Sequence, residues 1–166
     1  MKKGLLTLMI AALAVFSIQA QTKFGYLNSN ELLASMPESV TMQTELQDYA
    51  KKLENQLSDM QSEYERKVTD FQQNEITYSE LVKEDKIREV ESIQKRMVDF
   101  QQSAQKSLAQ KETELFTPIR DKAMEAIQEV AKDGKYTYIF DSGAGSFLYA
   151  DESENVIEKV KAKLGM

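Results

Sequence analysis

No histidine and no cysteine occur anywhere in the 166 residues. The first absence removes the side chain that most often moves protons near neutral pH. The second removes thiol nucleophiles and disulfides, and together they remove the usual zinc ligands. Stability must therefore come from packing or from oligomerisation. Glycine and proline are also scarce, with six and two residues. Between Ser39 and Lys132 there is no glycine, and Pro118 is the one proline. Two glycine-bearing stretches invite a phosphate-site reading and fail it. Gly143-Ala144-Gly145 leads toward an expected strand, whereas a phosphate site needs a helix N-terminus. Gly134-Lys135 lacks both the upstream glycine and the following Ser or Thr of a P-loop. The carboxylate neighbours Glu63 with Glu65 and Glu84 with Asp85 have no calcium-loop spacing around them and read as solvated helix surface. No catalytic, cofactor or metal residue is expected. An enzyme working through carboxylates has only the abundance of Asp and Glu behind it.

The N-terminus carries an export pattern. Lys2 and Lys3 precede an apolar run from Leu5 to Phe16, and Ile18-Gln19-Ala20 supplies a small-residue ending. Cleavage after Ala20 makes residues 1–20 a signal peptide; a retained N-terminal anchor is the alternative reading of the same features. The run is shorter than the roughly 20 residues a bilayer crossing needs. Removing it leaves 166 − 20 = 146 residues and removes two lysines, so the charge becomes 19 − 27 = −8. Such a chain offers no clustered basic face for nucleic acid, and repulsion from anionic membrane surfaces is expected.

Beyond the signal, Phe24-Gly25-Tyr26-Leu27 reads as a short strand, spanning about residues 24–28, and Asn28-Ser29-Asn30 as turn or cap. A short helix from Glu31 to Met36 is expected to stop before Pro37. A long helix then starts at Ser39. Its apolar positions Leu46, Ala50, Leu53, Leu57, Met60, Tyr64, Val68 and Phe71 recur every three or four residues in one narrow stripe, the mark of a helix pair rather than of a globular core helix. A second stripe runs through Ile87, Val90, Ile93, Met97, Phe100, Ala104, Leu108, Leu115 and Ile119 to Val130. In a hairpin, facing residues have numbers with a constant sum, and pairs from Phe71/Ile87 to Ala50/Leu108 give 157 or 158. Neighbouring registers match nearly as well. The reversal falls near Ser79, within a tip at residues 74–84. Met97, Leu108, Ile119 and Val130 are spaced by eleven, which favours a nearly straight or slightly right-handed arm. At 1.5 Å per residue, the arm is about 50 Å long.

Pro118 is expected to kink the second helix near Leu115 to Thr117. Residues 39–117 are therefore the arm, and 21–38 with 118–166 a small body. Asp133-Gly134 supplies a helix stop, Tyr136 to Phe140 a strand (136–141 at its widest), and residues 146–150 a further strand after the turn at Ser142 to Gly145. Asp151 or Ser153 caps a last helix whose face is Val156, Ile157, Val160 and Leu164. Three short strands bury too little surface to stand alone, so strands of neighbouring copies are expected to complete a shared sheet.

In this order the elements resemble the Skp/OmpH family. Phe24-Gly25-Tyr26-Leu27-Asn28 is similar to that family's first strand. Leu115-Phe116-Thr117-Pro118-Ile119 resembles the junction of members that carry this proline, and Tyr136 to Asp141 with Leu148-Tyr149-Ala150-Asp151 resembles its C-terminal hairpin. The resemblance spans the whole mature chain. It implies a mainly α fold with a small β body, a long antiparallel coiled-coil arm, and a homotrimer with Phe24, Tyr26, Tyr138, Phe140, Phe147 and Tyr149 as candidate body residues. It further implies a periplasmic, ATP-independent holdase that uses no cofactor and keeps unfolded outer-membrane β-barrel proteins from aggregating between its arms. The family's best-known members are strongly basic. This chain is acidic, so strong membrane or lipopolysaccharide binding is not expected and client capture rests on apolar contact. Candidate client contacts are Tyr49, Tyr64, Tyr78, Phe100 and Phe116. Seam packing is the competing reading for most of them, Tyr64 and Phe100 above all, whereas Tyr78 lies near the tip. The competing function is a structural coiled-coil envelope scaffold or spacer, which should bury its stripe where a holdase leaves it reachable.

Overall fold

The computed structural model of the chain describes residues 22–145 and 148–166. The expected signal peptide, residues 1–20, lies outside them, as do Ser146 and Phe147. Along the described residues run β1 (Phe24–Leu27), α1 (Ser29–Ser35), α2 (Pro37–Asn74), α3 (Glu80–Asp133), β2 (Tyr138–Asp141) and α4 (Ile157–Lys163). The fold is mainly helical, with a long helical hairpin and a small two-stranded β body. No described helix is long and apolar enough to cross a membrane. Two compact units emerge among the described residues: one joins residues 22–29 with those from Ala126 to Gly165, and the other comprises Asn30–Glu125.

In the hairpin unit, Pro37 does more than end a helix. It is the first residue of α2, where a missing N–H costs nothing and the fixed φ is already helical. The helix therefore starts two residues before the expected Ser39. Ser39 instead donates its hydroxyl back to the carbonyl of Leu33 at 2.5 Å. The chain reverses through a 3₁₀ turn at Glu75–Thr77, and α3 opens at Glu80, so the expected reversal at Ser79 falls between the turn and the start of α3. Cross-hairpin ion pairs mark the register: Lys67–Glu89 and Asp70–Lys86 have numbers summing to 156, Glu63–Arg96 to 159 and Glu38–Lys122 to 160. Long charged side chains reach about one helical turn either way, and these sums bracket the value set by the apolar stripes. Pro118 lies inside α3 without ending it; Thr117, just before it, returns its hydroxyl to the Thr113 carbonyl at 2.7 Å.

In the body unit, β1 and β2 pair in parallel, with Phe24 opposite Tyr138 and Tyr26 opposite Phe140. Residue 155 bridges to Tyr26, and the Val156 N–H donates to the Tyr26 carbonyl at 2.8 Å, so β1 is flanked on both edges. The expected third strand is absent from its described part: residues 148–150 form a bend and irregular chain. Buried Leu27, Ala126, Val130, Val156, Ile157 and Val160 make the apolar centre of this unit. The helix-cap expectation also needs correcting. Asp151 caps the 3₁₀ turn Glu152–Glu154 by accepting from the Ser153 N–H, and Asn155 receives the Ile157 N–H at the start of α4.

Tyr136, expected in the strand, lies before it and fills a slot instead. A β-carbon on Gly25 would sit 3.0 Å from its ring, and one on Gly134 only 2.4 Å away. Lys23 and Lys159 flank that ring, 4.1 and 5.4 Å from its centre, and Lys159 donates to its hydroxyl at 2.8 Å. Gly134 is thus required by close approach and not by a left-handed backbone. The left-handed residue ending α3 is Lys135, at φ 54°. Its N–H bonds the Lys132 carbonyl and the Tyr136 N–H bonds the Ala131 carbonyl, the two bonds of a Schellman stop. A second cap comes from far along the chain. Asp141 accepts the Ser29 N–H at 3.0 Å, the Ser29 hydroxyl at 2.5 Å and the Gly143 N–H at 2.9 Å. Partial burial pulls its carboxyl upward, yet these hydrogen bonds outweigh that and leave it below the usual carboxylate range.

Two substitutions with opposite signs follow from these caps. Lys135→Gly relieves a left-handed lysine and should raise stability by about 1 kcal/mol. Asp141→Ala strips the start of α1 of its partner and should lower stability by about 1 to 2 kcal/mol. Urea unfolding followed by circular dichroism distinguishes them through midpoints that move in opposite directions.

Candidate functional site

Two surfaces present apolar side chains to solvent. The first belongs to the body unit. Side chains alternate along a strand, and partners in a parallel pair share a face. Leu27 and Gly25 are therefore buried on one side of the sheet, while Phe24, Tyr26, Tyr138 and Phe140 share the other. The rings of Phe24 and Tyr138 stack at 5.9 Å, and Phe140 lies 6.1 Å from each. Phe24, Tyr138 and Phe140 are nevertheless 48%, 57% and 45% exposed. Three clustered aromatic rings left this open form a surface suited to being covered. A groove of about 410 Å³ beside them is lined by Phe24, Tyr26, Phe140, Tyr149, Ala150 and Glu154. Of the candidate body residues, Tyr26 is half-buried with its hydroxyl donating to Glu152 at 3.2 Å, and Tyr149 is exposed. Phe147 lies outside the described residues.

The second surface is the hairpin itself. Not one residue of α2 is buried. Leu46, Ala50, Leu53, Leu57, Met60, Tyr64, Val68 and Phe71 are all half-buried, and of the α3 stripe residues named above only Ile93, Ile119 and Val130 are buried. Of the proposed client contacts, Tyr64 and Phe100 lie half-buried in the stripe, Tyr49 is half-buried beside it, and Phe116 is exposed. Tyr78 is tied down: half-buried, it donates its hydroxyl to Asp70 at 3.3 Å, while Asp70 also takes the Lys86 ammonium at 3.1 Å and the Asn74 amide at 3.0 Å.

The exposed apolar residues at the tip are ones the stripe does not contain. Ile76 is 99% exposed and Leu81 68%, with Val82 beside it also open. The signal was present as apolar residues that break the three-four spacing between Phe71 and Ile87. Periodicity searches pass over such residues because they look for what a seam needs. Ile87 itself, placed in the stripe by its spacing, is exposed. Below this tip the polar knot replaces apolar packing. Lys86 holds the Asp70 carboxyl below its usual range and is itself raised by it, and Lys67 holds the Glu89 carboxyl below its usual range. No group of three or more acidic side chains that could hold a metal ion occurs among the described residues.

A helical hairpin with a half-wet seam and a two-stranded body with an open aromatic face define a class of protein built around exposed apolar surface. Residues 23–164 match the model of the family described as "Outer membrane protein (OmpH-like)", and the chain belongs to that family. A solved structure similar to it is that of a Caulobacter crescentus protein described as an OmpH-like outer membrane chaperone. The two share 14% identity at a TM-score of 0.78, over 87% of this chain and 85% of the other. That likeness is one of fold. Among curated proteins, none matches.

The polar knot has a pH signature. Both carboxylates have folded pKa values below their ordinary ones, so their stabilisation is present above the usual carboxylate range, near pH 4, and is lost as pH falls through the folded values. Amide exchange at residues 74–80 should therefore accelerate between about pH 5 and pH 3 relative to the body strands. Asp70→Asn should exchange faster at neutral pH and lose part of that acid dependence.

Proposed function

We propose that the mature chain is an ATP-independent periplasmic holdase, which binds unfolded outer-membrane β-barrel proteins between its arms and prevents their aggregation. The observation that carries this reading is the half-buried seam. A scaffold that only separates two structures would be expected to dehydrate its stripe, whereas here every apolar residue of the α2 stripe keeps contact with water. Many weak contacts along such a surface hold a chain through effective concentration, without one deep pocket. Half-buried Met60 and Met97 add side chains that adapt to varied partners. Membership of the OmpH-like family supports the same function.

The working unit is a homotrimer closed through the aromatic face of Phe24, Tyr138 and Phe140, with the signal peptide removed after Ala20. Tyr64, Phe100, Tyr49 and Phe116 contribute to the client surface. Tyr78 contributes less than its place in the sequence suggests, because its hydroxyl is engaged by Asp70. Capture is apolar. Cations at the hairpin tip are already paired, and the net charge of −8 gives no general attraction for anionic partners. No nucleotide, metal or other cofactor takes part, and no reaction is catalysed.

Dilution of a urea-unfolded outer-membrane β-barrel protein into buffer tests this by light scattering, without nucleotide, at two salt concentrations. Stoichiometric amounts of the trimer should suppress scattering equally at about 50 and 500 mM salt, because apolar contact is little screened. Failure to suppress scattering for several such clients would favour the scaffold instead.

A further inference from the structure

The tip of the hairpin differs from the seam below it in exposure and in charge, and both differences select a partner. Ile76 is 99% exposed and Leu81 68%, against half-burial along the stripe. Ile76 lies in the turn and Leu81 in the first turn of α3, and their exposure shows that neither is packed between the two helices. All four basic residues from Lys67 to Glu89 are committed: Lys67 to Glu89, Lys83 to Glu80, Lys86 to Asp70, and Arg88 to both Glu84 and Asp85. Six acidic residues share this stretch, Asp70, Glu75, Glu80, Glu84, Asp85 and Glu89, so the charge there is 4 − 6 = −2. Glu75, immediately before Ile76, is exposed and belongs to none of these pairs. The excess carboxylate therefore stands beside the most exposed apolar side chain of the tip.

We infer that the hairpin tip is a docking site for extended polypeptide segments in which an apolar residue is flanked by Lys or Arg, with Ile76 and Leu81 taking the apolar side chain and Glu75 the cation. The inference rests on the holdase reading and sharpens it: the seam accepts apolar chain without regard to charge, and the tip selects for basic flanks. An anionic lipid surface offers the wrong charge to this tip. A carboxylate beside an open apolar residue rewards a cation-bearing segment and disfavours an acidic one, in the way that complementary potentials set specificity more than raw affinity. Both apolar positions are already in water, so polar replacements there leave the hairpin intact.

Fluorescence anisotropy with the full mature chain provides the test, using two labelled eight-residue peptides that alternate Leu with Lys or Leu with Glu. The Lys peptide should bind at least about fivefold more tightly at low salt, and the preference should shrink as salt rises. Ile76→Ser with Leu81→Ser should weaken the Lys peptide about tenfold. Glu75→Gln should reduce the preference while leaving the Glu peptide's affinity unchanged or higher. Circular dichroism confirms that the variants keep wild-type helix content. Equal affinity for both peptides, or variants that bind like wild type, overturns the tip site. So does stronger binding to phosphatidylglycerol vesicles than to the Lys peptide, since that makes the tip a membrane contact. The scattering assay runs in parallel. Suppressed aggregation without peptide selectivity removes the tip site and leaves the holdase, whereas peptide selectivity without suppression removes the holdase and leaves the tip site.

Discussion

Two helices lying side by side share one seam, and one seam cannot remove a stripe from water on all sides. Nearly everything of interest in this chain depends on that geometric limit. A third helix against the same stripe would bury it and produce an ordinary bundle. With only two, the apolar residues of α2 are held in place by their partners in α3 and stay partly wet along more than thirty residues. Cohesion is then supplemented at the edges by ion pairs such as Lys67–Glu89 and Glu38–Lys122. Exposed pairs of this kind contribute little stability each. They follow the register that the apolar stripes set.

The body obeys a different limit. A parallel pair of four-residue strands is too small to be stable as a free sheet. One face is sealed by Leu27 and by the close fit of Tyr136 against Gly25 and Gly134, with two lysines over the ring. The opposite face is aromatic and open. Asp141 adds a cap that ties the end of β2 to the first residue of α1. The strand pair, the fit of Tyr136 against Gly25 and the Asp141 cap join pieces more than a hundred residues apart, so the body forms only after these distant segments meet. Loop closure of that length makes such pairing slow relative to the local formation of the helices.

Family membership and physical reading meet on the exposed apolar surface, and they diverge on charge. Resemblance implied basic arms in the best-known relatives, whereas this chain carries an acidic excess and commits the basic residues of its hairpin tip to carboxylate partners. Apolar contact is the common denominator that survives the inversion. In the proposed holdase, electrostatics discriminates among clients instead of attracting them in general.

From the sequence alone, the long helices, the hairpin and its approximate register, the first strand and the terminal helix were all legible. Each is written in short-range periodicity or in a helix start and stop: the stripe from Leu46 to Phe71 answers the one from Ile87 onward, and Pro37 marks a boundary whichever side it falls on. What the sequence could not decide was set by contacts distant along the chain. Tyr136 looks like a strand residue, yet it turns against two glycines. Gly134 looks like the left-handed stop, yet the ring occupies the space a side chain would need and Lys135 takes the positive φ. Residues 148–150, apolar enough for a strand, pair with nothing in a sheet. Ile76 and Leu81 became visible as a surface only once the fold placed them at the turn with nothing packed over them. Periodicity reports which face of a helix is apolar; which apolar residues remain in water is decided by how many neighbours the fold brings to that face.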